Sequence, residues 1–297
     1  MHYYMKYLKY KQKYLELTKN LSDNNCYETF NNIEECIYIF NNLEKRTVLS
    51  KKYVNTVFPV ELAFLQGLLL LDSTLYRSSG LYGKSFIQML NYPSLNLVKH
   101  MQLPPIIFSE DITFFNNKIY MLTYKENKLL EWDLMLNNYI EYYYPREGWG
   151  ICHDGENHFW TTDGSCYLYS WSDPSNPLKD LKKIIVHHKK NNNEHVPVNN
   201  LNAMEWFPTG TISNKPLILV FEWMTPNLHA VNPYSGEIIH TFNLQELYPE
   251  SSNDNHEYCP NGITRFHSKN NSNNLDSSFL ITGKGWNIIY KLNLKIK

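Results

Sequence analysis

The chain has 297 residues, 43% of them hydrophobic and 19% charged, with a formal net charge of -1. A chain of this length hides roughly three quarters of its unfolded surface, enough for one large core or two modest ones, and disorder as the main state is excluded. With 28 basic residues against 29 acidic ones there is no overall field to hold nucleic acid or an anionic membrane.

The first segment differs in character from the rest. Tyr3, Tyr7, Tyr10, Tyr14, Leu17 and Leu21 recur at spacings of four and three, and Ile33, Cys36, Ile37 and Phe40 repeat the pattern. This predicts two helices within a helical extension over residues 1–48, ahead of a second domain over 49–297. The lysines on the first helix offer a basic face to an unknown partner. Lys6, Lys9, Lys11, Lys13 and Lys19 come with no apolar run, so no secretory leader is expected. No stretch approaches the ~20 apolar residues of a membrane span. Cys26, Cys36, Cys152, Cys166 and Cys259 are irregularly spaced, without a C-x-x-C pair. Neither a disulfide framework nor a zinc site is expected, and a soluble chain in a reducing compartment is favoured.

From about Tyr53 the helical period gives way to short apolar and aromatic segments between Asn, Gly, Asp and Pro clusters. Lys118 to Thr123, His158 to Thr162, Tyr167 to Trp171, Leu217 to Glu222, Leu228 to Asn232, Phe279 to Thr282 and Ile288 to Leu292 read as strands, and the chain as all-β. Turns are expected at Glu126–Asn127 and Asp163–Gly164. The polar stretches His187 to His195 and His267 to Ser278 read as solvated loops. Gln66, Glu110, Trp149, Asn202 and Asn261 stand 44, 39, 53 and 59 residues apart. That spacing suits four-stranded propeller blades, five in number, with a two-domain β protein as the alternative.

Seven strings in order carry a family likeness: FLQGLLLLDSTLYRSSGLYGKS, FSEDITFFNNKIYMLTY, EGWGICHDGENHFWTTDGS, LNAMEWF, VNPYSGEIIHTFNLQEL, PNGIT and TGKGW. Through them the chain, from roughly Phe58 to Leu294, resembles the propeller-type glutamine cyclotransferases of plants and bacteria. The resemblance implies a five-bladed β-propeller that turns the N-terminal glutamine of a peptide or protein into pyroglutamate, releasing ammonia, with no cofactor and no catalytic metal. It assigns Glu110 as acid/base and places Asn202 and Lys284 with it as catalytic groups. Gln66, Trp149, Trp223 and Tyr124 are the corresponding substrate-binding residues. Three positions depart from the family pattern: Tyr124 stands for a tryptophan, Ala203 for a glutamate and Asp111 for a glycine. They leave open an alternative, a catalytically silent propeller that binds a peptide or protein partner in the same channel.

The chemistry suits these residue types. The nucleophilic α-amine is tethered to the carboxamide it attacks, so the enzyme's main tasks are to fold the substrate into shape and to move one proton. Trp132, Trp160, Trp171 and Trp206 read as core. His187 with His188, and Cys152 with His153 and Asp154, lack the spacing of a metal or nucleophile site.

Overall fold

The computed structural model describes residues 63–190, 194–209, 212–249, 257–267 and 278–293, with the backbone of five further short strands, Tyr27–Glu28, Ile37–Tyr38, Arg46–Val48, Val54–Pro59 and Lys295–Ile296. Most strands fall into five antiparallel groups of four, named here sheets I to V. Sheet I holds Leu65–Leu71, Thr74–Ser79, Phe86–Asn91 and Leu97–Gln102, and sheet II holds Ser109–Phe115, Lys118–Thr123, Lys128–Asp133 and Tyr139–Tyr143. Sheet III consists of Ile151–His153, Phe159–Thr161, Tyr167–Trp171 and Lys182–Ile185; sheet IV of Leu201–Phe207, Leu217–Glu222, Asn227–Val231 and Ile238–Asn243. Sheet V takes Pro260–His267, Ser278–Gly283 and Ile288–Asn293 from the end of the chain, and its fourth strand, Val54–Pro59, from the segment before sheet I.

The first strand of each sheet packs against the first strand of the next. That of sheet V lies parallel to that of sheet I, with Phe266 opposite Leu70 and His267 opposite Leu71. The sheet order therefore closes on itself.

Alternation along each strand explains the cores. Ile119 and Met121 join Leu69 and Ile87 in a cluster between sheets I and II, while Tyr120 and Leu122 join Ile151 and Phe159 between sheets II and III. Successive side chains leave opposite faces of a strand, and here both faces are covered, so the strands read as nearly unbroken apolar runs. Leu68 and Leu70 likewise face sheet V, and Leu69 and Leu71 face sheet II. Every consecutive pair of sheets, V with I included, encloses its own apolar cluster. Trp171 stacks on Phe159 with centroids 4.5 Å apart, and each such side chain contributes roughly 1.5–3 kcal/mol by burial.

The all-β reading holds, and the strands expected at 118–123, 167–171 and 217–222 coincide with the observed ones. Asn127 and Gly164 occupy the two expected turns at positive φ, 56° and 78°. Trp132, Trp160, Trp171 and Trp206 are buried as expected. Two expectations change. The loop expected from His187 to His195 contains a short hairpin, with Lys189 opposite His195 and the His187 and His195 rings 4.2 Å apart. Within the expected N-terminal extension, Ile37–Tyr38 is extended beside Lys295–Ile296 rather than helical. Arg46–Val48 is extended along the outer edge of sheet IV, where an open row of backbone donors and acceptors favours a pairing strand. The first predicted helix, the rest of the second and residues 268–277 lie outside the described residues.

Candidate active site

One structural device recurs at the start of the first strands. In sheet I the register slips at Gln66; in sheet II Glu110 and Asp111 together face the single residue Leu122. In sheet IV Asn202 and Ala203 face Phe221, and in sheet V Asn261 and Gly262 face Thr282. Each is a β-bulge in which the inner strand carries one extra residue. Bulges bend the strand and re-aim a side chain, and they cluster beside active sites. The starts of these strands lie at one level, because Asp111 Oδ2 accepts from the Ile151 and Met204 N–H groups, both at 3.1 Å, and Asn261 Nδ2 donates to the Leu65 carbonyl at 3.1 Å. Gln66, Glu110, Asn202 and Asn261 are all buried there.

An arc of aromatic rings runs alongside these polar residues. Phe64 meets Phe108 edge-on at 6.3 Å, Phe108 meets Tyr124 at 5.6 Å, Tyr124 meets Trp149 at 6.4 Å, and Trp149 meets Trp223 at 5.6 Å. The Lys284 ammonium sits 5.1 Å from the Phe64 ring centre, on a side chain that is 1% exposed. Glu110 belongs to the same neighbourhood. Burial, then the charges of Glu147, Glu110 and Glu126, push the Tyr124 phenol up, and Glu110 acts on Tyr82 in the same sense behind burial, Glu126 and Tyr124. The Ser78 hydroxyl fixes the local backbone by donating to the Glu110 carbonyl at 2.7 Å.

Asn202 is set by a close approach of sheets III and IV. Its carbonyl accepts from Thr162 Oγ1 at 3.1 Å, and that oxygen accepts from the Gly150 N–H at 2.8 Å. A Cβ on Gly150 would sit 2.1 Å from the Asn202 carbonyl oxygen, so glycine is required between Trp149 and the strand. Asn202 Oδ1 is buried without a hydrogen-bond partner. Trp223 follows sheet IV's second strand, its N–H bound to the Asn200 carbonyl at 2.8 Å. All seven candidate residues thus gather around the aromatic arc and the bulged strand starts.

The cluster of Cys152, His153 and Asp154 is accounted for structurally. Burial pushes the Cys152 thiol well up, away from a nucleophilic thiolate. The His153 ring stacks on Phe115 at 3.7 Å and accepts from the Gly155 N–H at 2.9 Å. Cys152, Cys166 and Cys259 are free thiols. Among the described residues no cluster of three His, Cys, Asp or Glu side chains is arranged to hold a metal ion, and no helix is long and apolar enough to cross a membrane.

The sequence profile of the family described as glutamine cyclotransferase matches residues 31–294. The chain belongs to that family. It is similar to the glutaminyl-peptide cyclotransferase of Arabidopsis thaliana, 26% identical over 238 residues that make up 78% of this chain and 68% of that protein. Among solved structures, the glutaminyl cyclase of Myxococcus xanthus matches with a TM-score of 0.67 at 22% identity, covering 84% of this chain and 97% of that one. At this identity the likeness establishes the fold, all-β and propeller-like.

Within this glutamine cyclotransferase, several residues near the site were not among the catalytic and substrate-binding residues expected from sequence. Phe108 sits between Phe64 and Tyr124 in the arc, and a Cβ on Gly80 would lie 2.2 Å from its ring, so Gly80 leaves the space that seats it. Glu126 accepts from the Tyr82 hydroxyl at 2.7 Å and from the Phe108 N–H at 3.3 Å, bracing that ring. Asn261 bonds Gln66 Oε1 at 2.6 Å. Its sequence signal was its place in the recurring landmarks, because Pro-Asn-Gly by itself reads as a turn.

Proposed function

We propose that this protein is a glutaminyl-peptide cyclotransferase on a five-bladed propeller spanning residues 49–297, with Glu110 as the group that moves the proton. The closed order of five four-stranded sheets supports the blade count, and Val54–Pro59 supplies the strand that closes the ring. The observation that carries the active-site reading is the buried polar side chain at the bulge of four first strands, grouped beside one aromatic arc in a chain of this family.

In the reaction the substrate's α-amino nitrogen attacks the carbon of its own side-chain carboxamide. The new C–N bond closes a five-membered ring and pushes negative charge onto the carboxamide oxygen. Asn202 and Lys284 are the groups assigned to that developing oxyanion, where fixed donors and positive charge in a water-poor hollow stabilise the transition state by a few kcal/mol. Glu110 takes the proton shed by the attacking nitrogen and returns it to the departing one; the old C–N bond breaks and ammonia leaves. An α-amine with a pKa near 8 needs little help to become neutral, whereas the amide nitrogen must be protonated to depart. Trp149, Trp223 and Tyr124 wall the hollow and hold the substrate's aliphatic chain in its folded, ring-like shape, and Gln66 orients the amide.

The test is direct. Incubated with a glutamine-initiated peptide, the wild type releases ammonia and the peptide loses the mass of one ammonia. Glu110→Gln lowers the rate by about 10²–10⁴ while the unfolding transition stays in place. Equal turnover by wild type and variant removes Glu110 from the mechanism.

A further inference from the structure

The amides of Gln66 and Asn261 meet where the first strands of sheets I and V run side by side, and the hydrogen bonds around them fix which way each is turned. Asn261 Nδ2 donates to the Leu65 carbonyl at 3.1 Å and to Gln66 Oε1 at 2.6 Å. An NH2 group can serve two acceptors and a carbonyl oxygen cannot, so the Leu65 carbonyl sets the orientation of Asn261. Asn261 in turn requires Gln66 to offer it the oxygen. Two atoms are left over, Gln66 Nε2 and Asn261 Oδ1, both buried and both without a hydrogen-bond partner. Each side chain belongs to a residue that is 0% exposed.

Buried polar atoms are nearly always satisfied, so a donor and an acceptor left over on bonded neighbours point to a ligand that supplies both. Their position agrees. Gln66 Nε2 lies 3.0 Å from the place a Cβ on Gly80 would take, against the same point that the Phe108 ring approaches to 2.2 Å. The donor therefore lies beside the aromatic arc, where the charge of Glu110 is felt by Tyr82 and Tyr124.

We propose that Asn261 is the specificity-determining partner of Gln66. It locks Gln66 with the NH2 toward the bound side chain, where that group donates to the substrate's carboxamide oxygen, and its own Oδ1 accepts from the carboxamide NH2. The assignment rests on the cyclotransferase reading above and adds to it the element that tells glutamine from glutamate. A primary carboxamide offers one acceptor and one donor group to match the pair; a carboxylate offers only acceptors and sets an oxygen against Asn261 Oδ1.

The probe is Asn261→Asp, which keeps an acceptor and removes the donor. Gln66 then turns its NH2 to the new carboxylate and its oxygen to the substrate. With a glutamine-initiated dipeptide, kcat/KM falls about 10- to 100-fold, since a site built to hydrogen-bond a polar group loses heavily when that bond is missing. In a Gln66→Ala background the same substitution changes kcat/KM by less than about threefold, because no amide remains to be turned. Asn261→Ala, which removes both the donor and Oδ1 without adding charge, serves if the aspartate variant does not fold: it loses more in the wild-type background than in the Gln66→Ala background, where only the Oδ1 contact is left to lose. Equal losses in both backgrounds, or no loss at all, overturn the proposal.

A wild type inert toward the dipeptide refutes the cyclotransferase reading alone. The pair is then read by calorimetric binding of glutamine- and glutamate-initiated peptides. A preference for glutamine of about tenfold or more that Asn261→Asp abolishes supports it, as expected from one matched hydrogen-bonding group. Equal binding of the two peptides, or of neither, overturns it.

Discussion

Asp111 offers the sharpest test of the fold, because its carboxyl group joins three sheets. Oδ1 accepts from the Ile112 N–H at 2.9 Å, and Oδ2 accepts from the N–H groups of Ile151 and Met204, each at 3.1 Å. The residue is 1% exposed, and burial pushes its pKa well up against the lowering effect of those three donors, with the charge of Glu205 adding to the rise. Asp111→Ala leaves three buried backbone N–H groups without an acceptor, at a cost of about 1–3 kcal/mol each. Part is returned because the acid no longer has to be desolvated and because water can enter the space left. The net loss expected is about 2–4 kcal/mol, a large share of the roughly 5–15 kcal/mol that holds a domain folded. Urea denaturation followed by tryptophan fluorescence measures it, and thermal melting should drop by about 5–15 °C. Asp111→Asn falls between, since its one oxygen serves part of the set while its NH2 faces a remaining donor. At temperatures well below the transition, kcat/KM of Asp111→Ala stays within a few-fold of wild type. A stability change under about 1 kcal/mol refutes the tie between sheets II, III and IV, since that is less than the cost of one orphaned donor.

Gly80→Ala places a Cβ against the Phe108 ring and displaces it, so KM for a glutamine-initiated peptide rises about tenfold with a smaller effect on kcat, in line with a lost packing contact. Burial first, then neighbouring carboxylates, push the Tyr124 phenol above its usual value of 10, so it carries no charge below that pH. Tyr124→Phe therefore leaves the shape of the pH–rate profile between pH 6 and 9 unchanged; a lost or shifted limb would give the phenol a proton-transfer role. Burial lowers His153 from 6.5 to about 4, outweighing the pull of Asp154. The neutral ring stabilises the fold fully above pH 6.5, and that contribution, roughly 2–3 kcal/mol, is lost as the pH falls toward 4. His153→Phe keeps the stack on Phe115 and flattens this part of the stability–pH curve measured in urea; identical slopes in variant and wild type refute the assignment.

Much of this architecture is written locally. The run Lys118 to Thr123 is a strand in sequence and structure because a sheet covered on both faces needs an apolar residue at every position. The landmarks Gln66, Glu110, Trp149, Asn202 and Asn261 were legible as a repeat, and each falls at the start of one sheet. The bulges were not legible, because a register slip is a relation between two strands and leaves no mark in either one alone. For the same reason Asn261 reads as a turn residue until its partner, Gln66, 195 positions away, is in view. The hairpin at His187–Lys189 and His195–Pro197 escaped notice because its strands are polar and follow no period.

The bulges also separate two tasks between adjacent residues. Glu110, the first of its pair, acts on Tyr82 and Tyr124 at the aromatic arc; Asp111, the second, reaches the backbone of sheets III and IV. In sheet I the residue after the bulged Gln66 is Gly67, where a Cβ would stand 2.7 Å from Asp111 Oδ1. The missing side chain of sheet I makes the room that the Asp111 carboxyl group occupies. A strand in regular register turns neighbouring side chains to opposite faces. The extra residue at the bulge lets two consecutive positions serve the aromatic arc and the junction of the sheets instead. Activity and stability are therefore expected to part at a single step along the chain: Glu110→Gln loses turnover and keeps the melting temperature, and Asp111→Ala does the reverse.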